Sequence, residues 1–375
     1  MALALPFDPT TLPGPVQRIV GDKTPPALRM MAAKGAAPGL RPEQIVLTLV
    51  VLARADLAHV EPAAKETAEA TLTALPTAIR DAALAAHELS PLALDVLADT
   101  VSSDVTILER VVTHPALATA TALRLAKEGT EAITELVAIN EERLLAFPEI
   151  IEALYMNKRV RSSTADRVLD LAVRNGKTLN IPTFKEAAEA IQGELILAPD
   201  AEPTPDDILF AEAAALAEAI DGEVIKEDDT GEEVVEEKAL PLEQRIRQMT
   251  VSQKVRTATL GTAAVRALLV RDKNKLVAAA VIRSPLLQEN EAAAFSASRG
   301  VSEDVLRLIA SNGELVKSHT VKFNLVSNPK TPMAYSLRLL PHLRGDELKK
   351  LAKSKNVPGQ IAKLAKQELE KKAPR

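Results

Sequence analysis

The stretch NKRVRSSTADRVLDLA, residues 157–172, and the stretch NPKTPMAYSLRLLPHL, residues 328–343, decide the fold. Each opens on Asn at the end of an apolar run, crosses a few polar or basic residues and re-enters a run with apolar residues at helical spacing. Asn tolerates the backbone that ends a helix, and a Pro just beyond it suits the first turn of the next one. The two stretches stand 171 residues apart.

Working outward, the offset holds. DVTILERVVTHPALATATALRLA around His114-Pro115 answers to NKLVAAAVIRSPLLQENEAAAFS around Ser284-Pro285. Between them ITELVAINEERLL and VLRLIASNGELVK align after a gap of about two residues, so the offset runs over roughly 70 residues. An internal duplication is the reading. Inside each copy a shorter unit recurs, an apolar helix of two to three turns and then a polar punctuation. The punctuations fall at Thr113-His114-Pro115, Ile139-Asn140-Glu141, Met156-Asn157-Lys158, Arg283-Ser284-Pro285, Ser311-Asn312-Gly313, Ser327-Asn328-Pro329 and Lys355-Asn356-Val357-Pro358. Helices this short do not stand alone in water, so each must bury its stripe against neighbours. Stacked short helices joined by regular turns predict an all-α fold, an α-solenoid in two related lobes.

Composition supports this. Hydrophobic residues make up 47% of the 375, mostly Ala, Leu, Val and Ile, which excludes global disorder. Aromatics are 2%, with no Trp and only Tyr155 and Tyr335 as tyrosines, far from the composition of a β-sandwich or barrel. There is no Cys, which removes disulfides, thiol catalysis and thiolate metal sites and suits a reducing cytoplasm. The start, MALALPFDPTTLPGP, lacks a basic n-region and meets Pro6 at once, so no signal peptide is expected. The longest apolar run, from Ile45 to Ala53, is far shorter than the roughly 20 residues of a membrane span.

Net charge is −5, distributed unevenly: −6 over residues 1–195, −13 over 196–240 and +14 over 241–375. Three parts follow: an N-terminal helical-repeat lobe (1–195), an acidic linker (196–240) and a basic C-terminal helical-repeat lobe (241–375). The linker contains DDILFAEAAALAEAI, Asp206 to Ile220, which reads as one amphipathic helix capped by Asp206. The remainder, rich in charge and turn residues, reads as solvated chain, with folding back over the basic lobe as an electrostatic shield a further alternative.

No catalytic, metal or cofactor site is expected. The five His residues, 59, 87, 114, 319 and 342, stand singly without a partner at i+3 or i+4, and His114 and His342 beside Pro read as helix-end caps. No GxxxxGK[ST], GxGxxG or GxSxG occurs. Phe147 before Pro148 reads as a buried hydrophobic staple. What remains is basic. Lys158, Arg159 and Arg161 form one cluster, Arg271, Lys273 and Lys275 another, and Lys371, Lys372 and Arg375 end the chain. If inter-helix turns align along one rim, Lys273, Lys275, Lys330, Lys353 and Lys355 form a basic stripe for phosphates or an acidic partner.

The segment ADLAHVEPAAKETAEATLTALP, Ala55 to Pro76, resembles a HEAT repeat, with a helix entering through Pro62 and ending at Leu75-Pro76. The segments Ala138–Gly176, Ala267–Pro285 and Leu325–Pro358 resemble a family of uncharacterised bacterial helical-repeat proteins, HEAT-like or leucine-rich-repeat variants. The resemblance covers most of both halves but not the linker, and implies the fold without an activity. The functional expectation is a non-enzymatic scaffold that binds a protein partner on its repeat surface. The alternative is a nucleic-acid or polyanion binder using the basic lobe, disfavoured by the scarcity of stacking aromatics.

Overall fold

The computed structural model describes residues 3, 5–100, 104–192, 202–219, 240–354 and 357–372. Among them the chain is helical throughout, with α-helices, short 3-10 turns and no strand. Two compact units divide it, Met1–Val160 and Arg161–Arg375.

The first unit contains α1 (Gly14–Val20), α2 (Pro26–Ala33), α3 (Pro42–Arg54), α4 (Pro62–Thr73), α5 (Thr77–Leu84), α6 (Pro91–Thr100), α7 (Val105–Thr113), α8 (Thr119–Glu128), α9 (Glu131–Ile139), α10 (Glu141–Ala146) and α11 (Pro148–Met156). Proline supplies the first residue of α2, α3, α4, α6 and α11, where its missing N–H costs nothing and its fixed φ suits the helix. The apolar run flagged in the sequence is α3. It is buried nearly all round, through Val46, Leu47, Leu49, Val50, Val51 and Leu52. Each such side chain contributes about 1.5–3 kcal/mol by leaving water, and α1, α2, α4, α5 and α6 all pack on this helix. No described helix is long and apolar enough to cross a membrane.

The second unit contains α12 (Ser162–Arg174), α13 (Phe184–Ile191), α14 (Pro205–Ala219), α15 (Leu240–Gln248), α16 (Val251–Leu260), α17 (Ala263–Leu269), α18 (Lys275–Arg283), α19 (Glu289–Ala297), α20 (Glu303–Ser311), α21 (His319–Ser327), α22 (Met333–Leu339), α23 (Gly345–Lys353) and α24 (Gly359–Lys372). Its packing steps by two: α16 on α18, α18 on α20, α17 on α19, α19 on α21. The same step appears in the first unit between α1 and α3, α2 and α4, α3 and α5, and α7 and α9. The cause lies in the stripes. In α7 the buried residues are Ile107, Leu108, Val111 and Val112, and in α20 they are Val305, Leu306, Ile309 and Ala310, the same spacing on one face.

Helix positions carry the sequence offset. α7 begins at Val105 and α18 at Lys275, α9 at Glu131 and α20 at Glu303, α11 at Pro148 and α21 at His319. The boundary between units differs from the one that charge suggests. The packing division falls at Val160 and Arg161, because α12 and α13 pack among later helices. Thr183 bonds Thr259 at 3.0 Å, the Ser252 hydroxyl donates to Asp166 at 2.5 Å, and Glu186 pairs with Arg283 at 2.6 Å.

The helix expected inside the acidic stretch is present, over Pro205–Ala219, but Asp206 is not its cap. The Thr204 hydroxyl accepts the Asp207 N–H at 3.2 Å, and the Asp207 carboxylate accepts the Thr204 N–H at 3.0 Å, a reciprocal box. The acidic runs flanking this helix, and with them the shield reading, lie outside the described residues.

Candidate functional site

Four of the punctuations share one geometry, while Asn140 and Asn312 are half-buried and, among the described residues, accept only N–H groups two or three residues ahead. At His114, Asn157, Ser284 and Asn328 a side chain sits at a helix end, buried. It does two things. It accepts the N–H two residues on: Ala116 to His114 Nδ1 at 3.1 Å, Arg159 to Asn157 Oδ1 at 2.9 Å, Leu286 to Ser284 Oγ at 3.2 Å, Lys330 to Asn328 Oδ1 at 3.0 Å. It also donates to carbonyls at the end of an earlier helix. His114 Nε2 meets Ala86 O at 3.3 Å, and Ser284 Oγ donates to Thr259 O at 2.9 Å. Asn157 donates to Ala126 O and Gly129 O at 2.9 and 3.1 Å, and Asn328 to Ser296 O and Ser298 O at 2.9 and 3.0 Å. The last carbonyls of a helix have no partner within it, so each turn satisfies the helix end beside it. The expectation of a capping role holds for His114, while His342 is exposed in a 3-10 turn.

These bonds set turns next to one another. In the second unit the turn after α21, residues 328–332, is tied to the turn after α19, residues 298–302, through Asn328. The turn after α19 in turn touches the turn after α17. A Cβ placed on Gly300 would lie 3.4 Å from Arg271 Nε and 3.5 Å from Ser298 Oγ. Arg271, Lys273, Arg299 and Lys330 therefore share one edge of this unit.

The acidic neighbours on this edge are already engaged. Asp272 pairs with Lys254 at 3.1 Å, and Asp304 with Lys275 at 2.8 Å. Lys273, Arg299 and Lys330 are exposed and form no ion pair among the described residues. Burial holds the Arg271 guanidinium below the ordinary arginine value, which marks it as partly desolvated. Arg299 was not singled out in the sequence. Its signal is the register of the turn: in Asn157-Lys158-Arg159-Val160 and Ser298-Arg299-Gly300-Val301 a polar cap comes first, buried at Asn157 and half-buried at Ser298, cations or Gly follow, and a buried apolar residue closes.

The other candidates are placed as follows. Lys158 and Arg159 are exposed in the first unit, where Arg159 donates to Glu128 O at 3.1 Å, and Arg161 opens the second unit, half-buried. Lys353 is exposed at the end of α23, and among the described residues no hydrogen bond or ion pair ties it to the basic edge. Lys355 lies outside the described residues, as does Arg375, while Lys371 pairs with Glu368 at 2.6 Å.

Phe147 departs from the staple expectation, being 39% exposed. The inner side of that turn belongs to Arg143, which donates to Val112 O at 2.6 Å and His114 O at 3.0 Å, and the ring is turned out. A cleft of about 500 Å³ in the first unit is lined by Phe7, Leu12, Leu47, Glu88, Leu92 and Ala118, and includes none of the candidate cations. No group of three or more His, Asp or Glu that could hold a metal ion occurs among the described residues. No protein-family model, curated protein or solved structure matches the chain.

Proposed function

We propose that this chain is a HEAT-like α-solenoid, a leucine-rich-repeat variant in two related lobes, that acts without catalysis as a cytoplasmic protein-binding scaffold. Packing that steps by two from α1 to α5 and from α16 to α21 supports the solenoid reading. The absence of Cys from the sequence supports the compartment. The partner is a protein offering an acidic, extended segment to the edge formed by Arg271, Lys273, Arg299 and Lys330. The observation that carries this is the turn 328–332 stapled to the turn 298–302, with Arg271 of the turn 271–275 lying beside Gly300, which gathers Lys273, Arg299 and Lys330, exposed cations that form no ion pair among the described residues.

A single exposed ion pair contributes about 0.2–1 kcal/mol, so several are needed together. Binding is therefore expected to be weak, additive and screened by salt. The test uses the full chain and its Lys273→Glu/Arg299→Glu/Lys330→Glu variant against a poly-glutamate peptide, heparin and duplex DNA. The expected result is peptide binding at low salt that weakens about ten-fold in the variant and vanishes near 1 M salt. Variant-sensitive binding to heparin or DNA without peptide binding would replace this reading with a polyanion binder. No binding to any of the three would remove the basic edge from consideration.

A further inference from the structure

Helix α14 is seated on the second unit by Asp207, Phe210 and Ala213, buried at helical spacing on one face. Asp207 reaches into the first turn of α12. Its Oδ1 accepts the Ser163 N–H at 2.8 Å and its Oδ2 accepts the Ser163 hydroxyl at 3.0 Å. Unpaired N–H groups and the positive end of the dipole make a helix start a natural seat for a carboxylate. Burial acts to raise the Asp207 carboxyl, but the donors on Ser163 and Thr204 outweigh it and hold the group below the usual carboxylate range. One turn on, the Phe210 ring lies 4.6 Å from the Arg256 guanidinium carbon, and Arg256 is fully buried. Glu212 pairs with Arg245 of α15 at 2.9 Å.

The floor beneath α14 is assembled without it. Ser252 of α16 donates to Asp166 of α12 at 2.5 Å, and α13 packs against both α12 and α16. The helix on top is held by directional polar contacts together with the buried Phe210 and Ala213. Ile208 on the same helix faces solvent at 51% exposure. Thirteen residues of chain separate Ile191 from Pro205, and twenty separate Ala219 from Leu240. The described contacts of α14 with the unit are the side-chain bonds of Asp207 and Glu212 and the burial of Phe210 and Ala213, all of which another helix can offer. A free helix that binds well enough displaces it.

We infer that the α12–α16 face of the second unit is a helix-docking site, filled in cis by α14, that accepts in exchange a partner helix bearing an acidic residue and an aromatic residue three positions later. The acidic group takes the Ser163 N–H and hydroxyl, and the aromatic ring covers Arg256. This is recognition of a helix in a groove, with charge and ring contacts supplying the selectivity. The site is separate from the basic edge, and neither depends on the other.

The experiment uses a fluorescent peptide of residues 202–219 and the full chain, wild type and Asp207→Ala/Phe210→Ala. The peptide should bind the double variant at least 20-fold more tightly than the wild type, in which α14 competes. The same peptide carrying Phe210→Ala should bind neither. Equal binding to wild type and variant, or none to a variant whose circular dichroism matches the wild type, would overturn the inference. A second arm needs no variant: hydrogen exchange of the wild-type chain should show the α14 amides exchanging together, about a hundred-fold faster than those of α16. If α14 exchanges as slowly as α16, it is an integral part of the unit and the inference fails.

Discussion

Asn157 and Asn328 make the same three hydrogen bonds. Each accepts the N–H two residues ahead, from Arg159 or Lys330, and each donates twice to carbonyls at the end of an earlier helix. Both are buried, at 8% and 4% exposure. A side chain with an acceptor and two N–H donors on one planar group is what this position requires, and Asn supplies it in the smallest volume.

Replacing either Asn by Ala should leave those carbonyls unsatisfied. The expected loss is about 2–3 kcal/mol for each, read as a shift of the urea midpoint. Asn→Asp should be at least as harmful, because a carboxylate would face two carbonyl oxygens. A loss below about 0.5 kcal/mol would mean that water replaces the side chain and that the turn does not bind the repeats together.

Gly129 and Gly261 end α8 and α16 with φ of −62 and −74°, values open to any residue, so conformational freedom is not why they are glycine. Space is. A Cβ on Gly129 would meet the Leu125 carbonyl and lie 2.7 Å from Ile133 Cγ2, and one on Gly261 would lie 2.6 Å from Thr257 O and 2.9 Å from Val265 Cγ1. Gly129→Ala and Gly261→Ala should each lower stability by about 1–3 kcal/mol. Gly313→Ala, where nothing lies within 4 Å, should be neutral or gain up to about 1 kcal/mol. Thermal melts of the three variants side by side decide it.

Arg266 and Glu291 form a buried bidentate pair, at 2.9 and 2.8 Å, and Arg266 also donates to Gly261 O at 2.6 Å. Glu291→Ala strands a buried guanidinium and should cost about 3–5 kcal/mol. Arg266→Met/Glu291→Leu should recover most of that loss. A double variant as unstable as the single one would show that the pair itself stabilises, beyond the penalty of breaking it.

His114 gives the first unit a pH dependence. Burial pushes its imidazole below the ordinary value, the Ala86 carbonyl opposes this, and the charges of His87 and Arg143 lower it further. Its two bonds require the neutral ring, with Nδ1 accepting and Nε2 donating. The unfolded chain then binds the proton more readily than the folded one. The stabilisation is complete above the unfolded value of about 6.5 and is lost as pH falls below it toward the folded value. His114→Asn, which keeps an acceptor and a donor, should flatten the stability change between pH about 6.5 and 5. An unaltered slope would assign it to other groups.

Much of this molecule is legible in its sequence. Short helices are fixed by local rules: Pro at first turns, Asn and Ser at ends, and apolar stripes at a spacing that only a helix gathers on one face. The offset of 171 residues between Asn157 and Asn328 is equally plain, because a repeated local rule repeats its letters. Tertiary structure alone decided which carbonyls those Asn residues satisfy, since the acceptors lie about 30 residues back in a helix chosen by packing. It also placed α12 and α13 with the helices that follow, where charge had drawn the boundary elsewhere, because net charge reports on solvent and burial of apolar stripes decides neighbours. Arg299 joined Arg271 and Lys330 for the same reason. Residues distant in sequence become one surface only when the turns that hold them are fastened together.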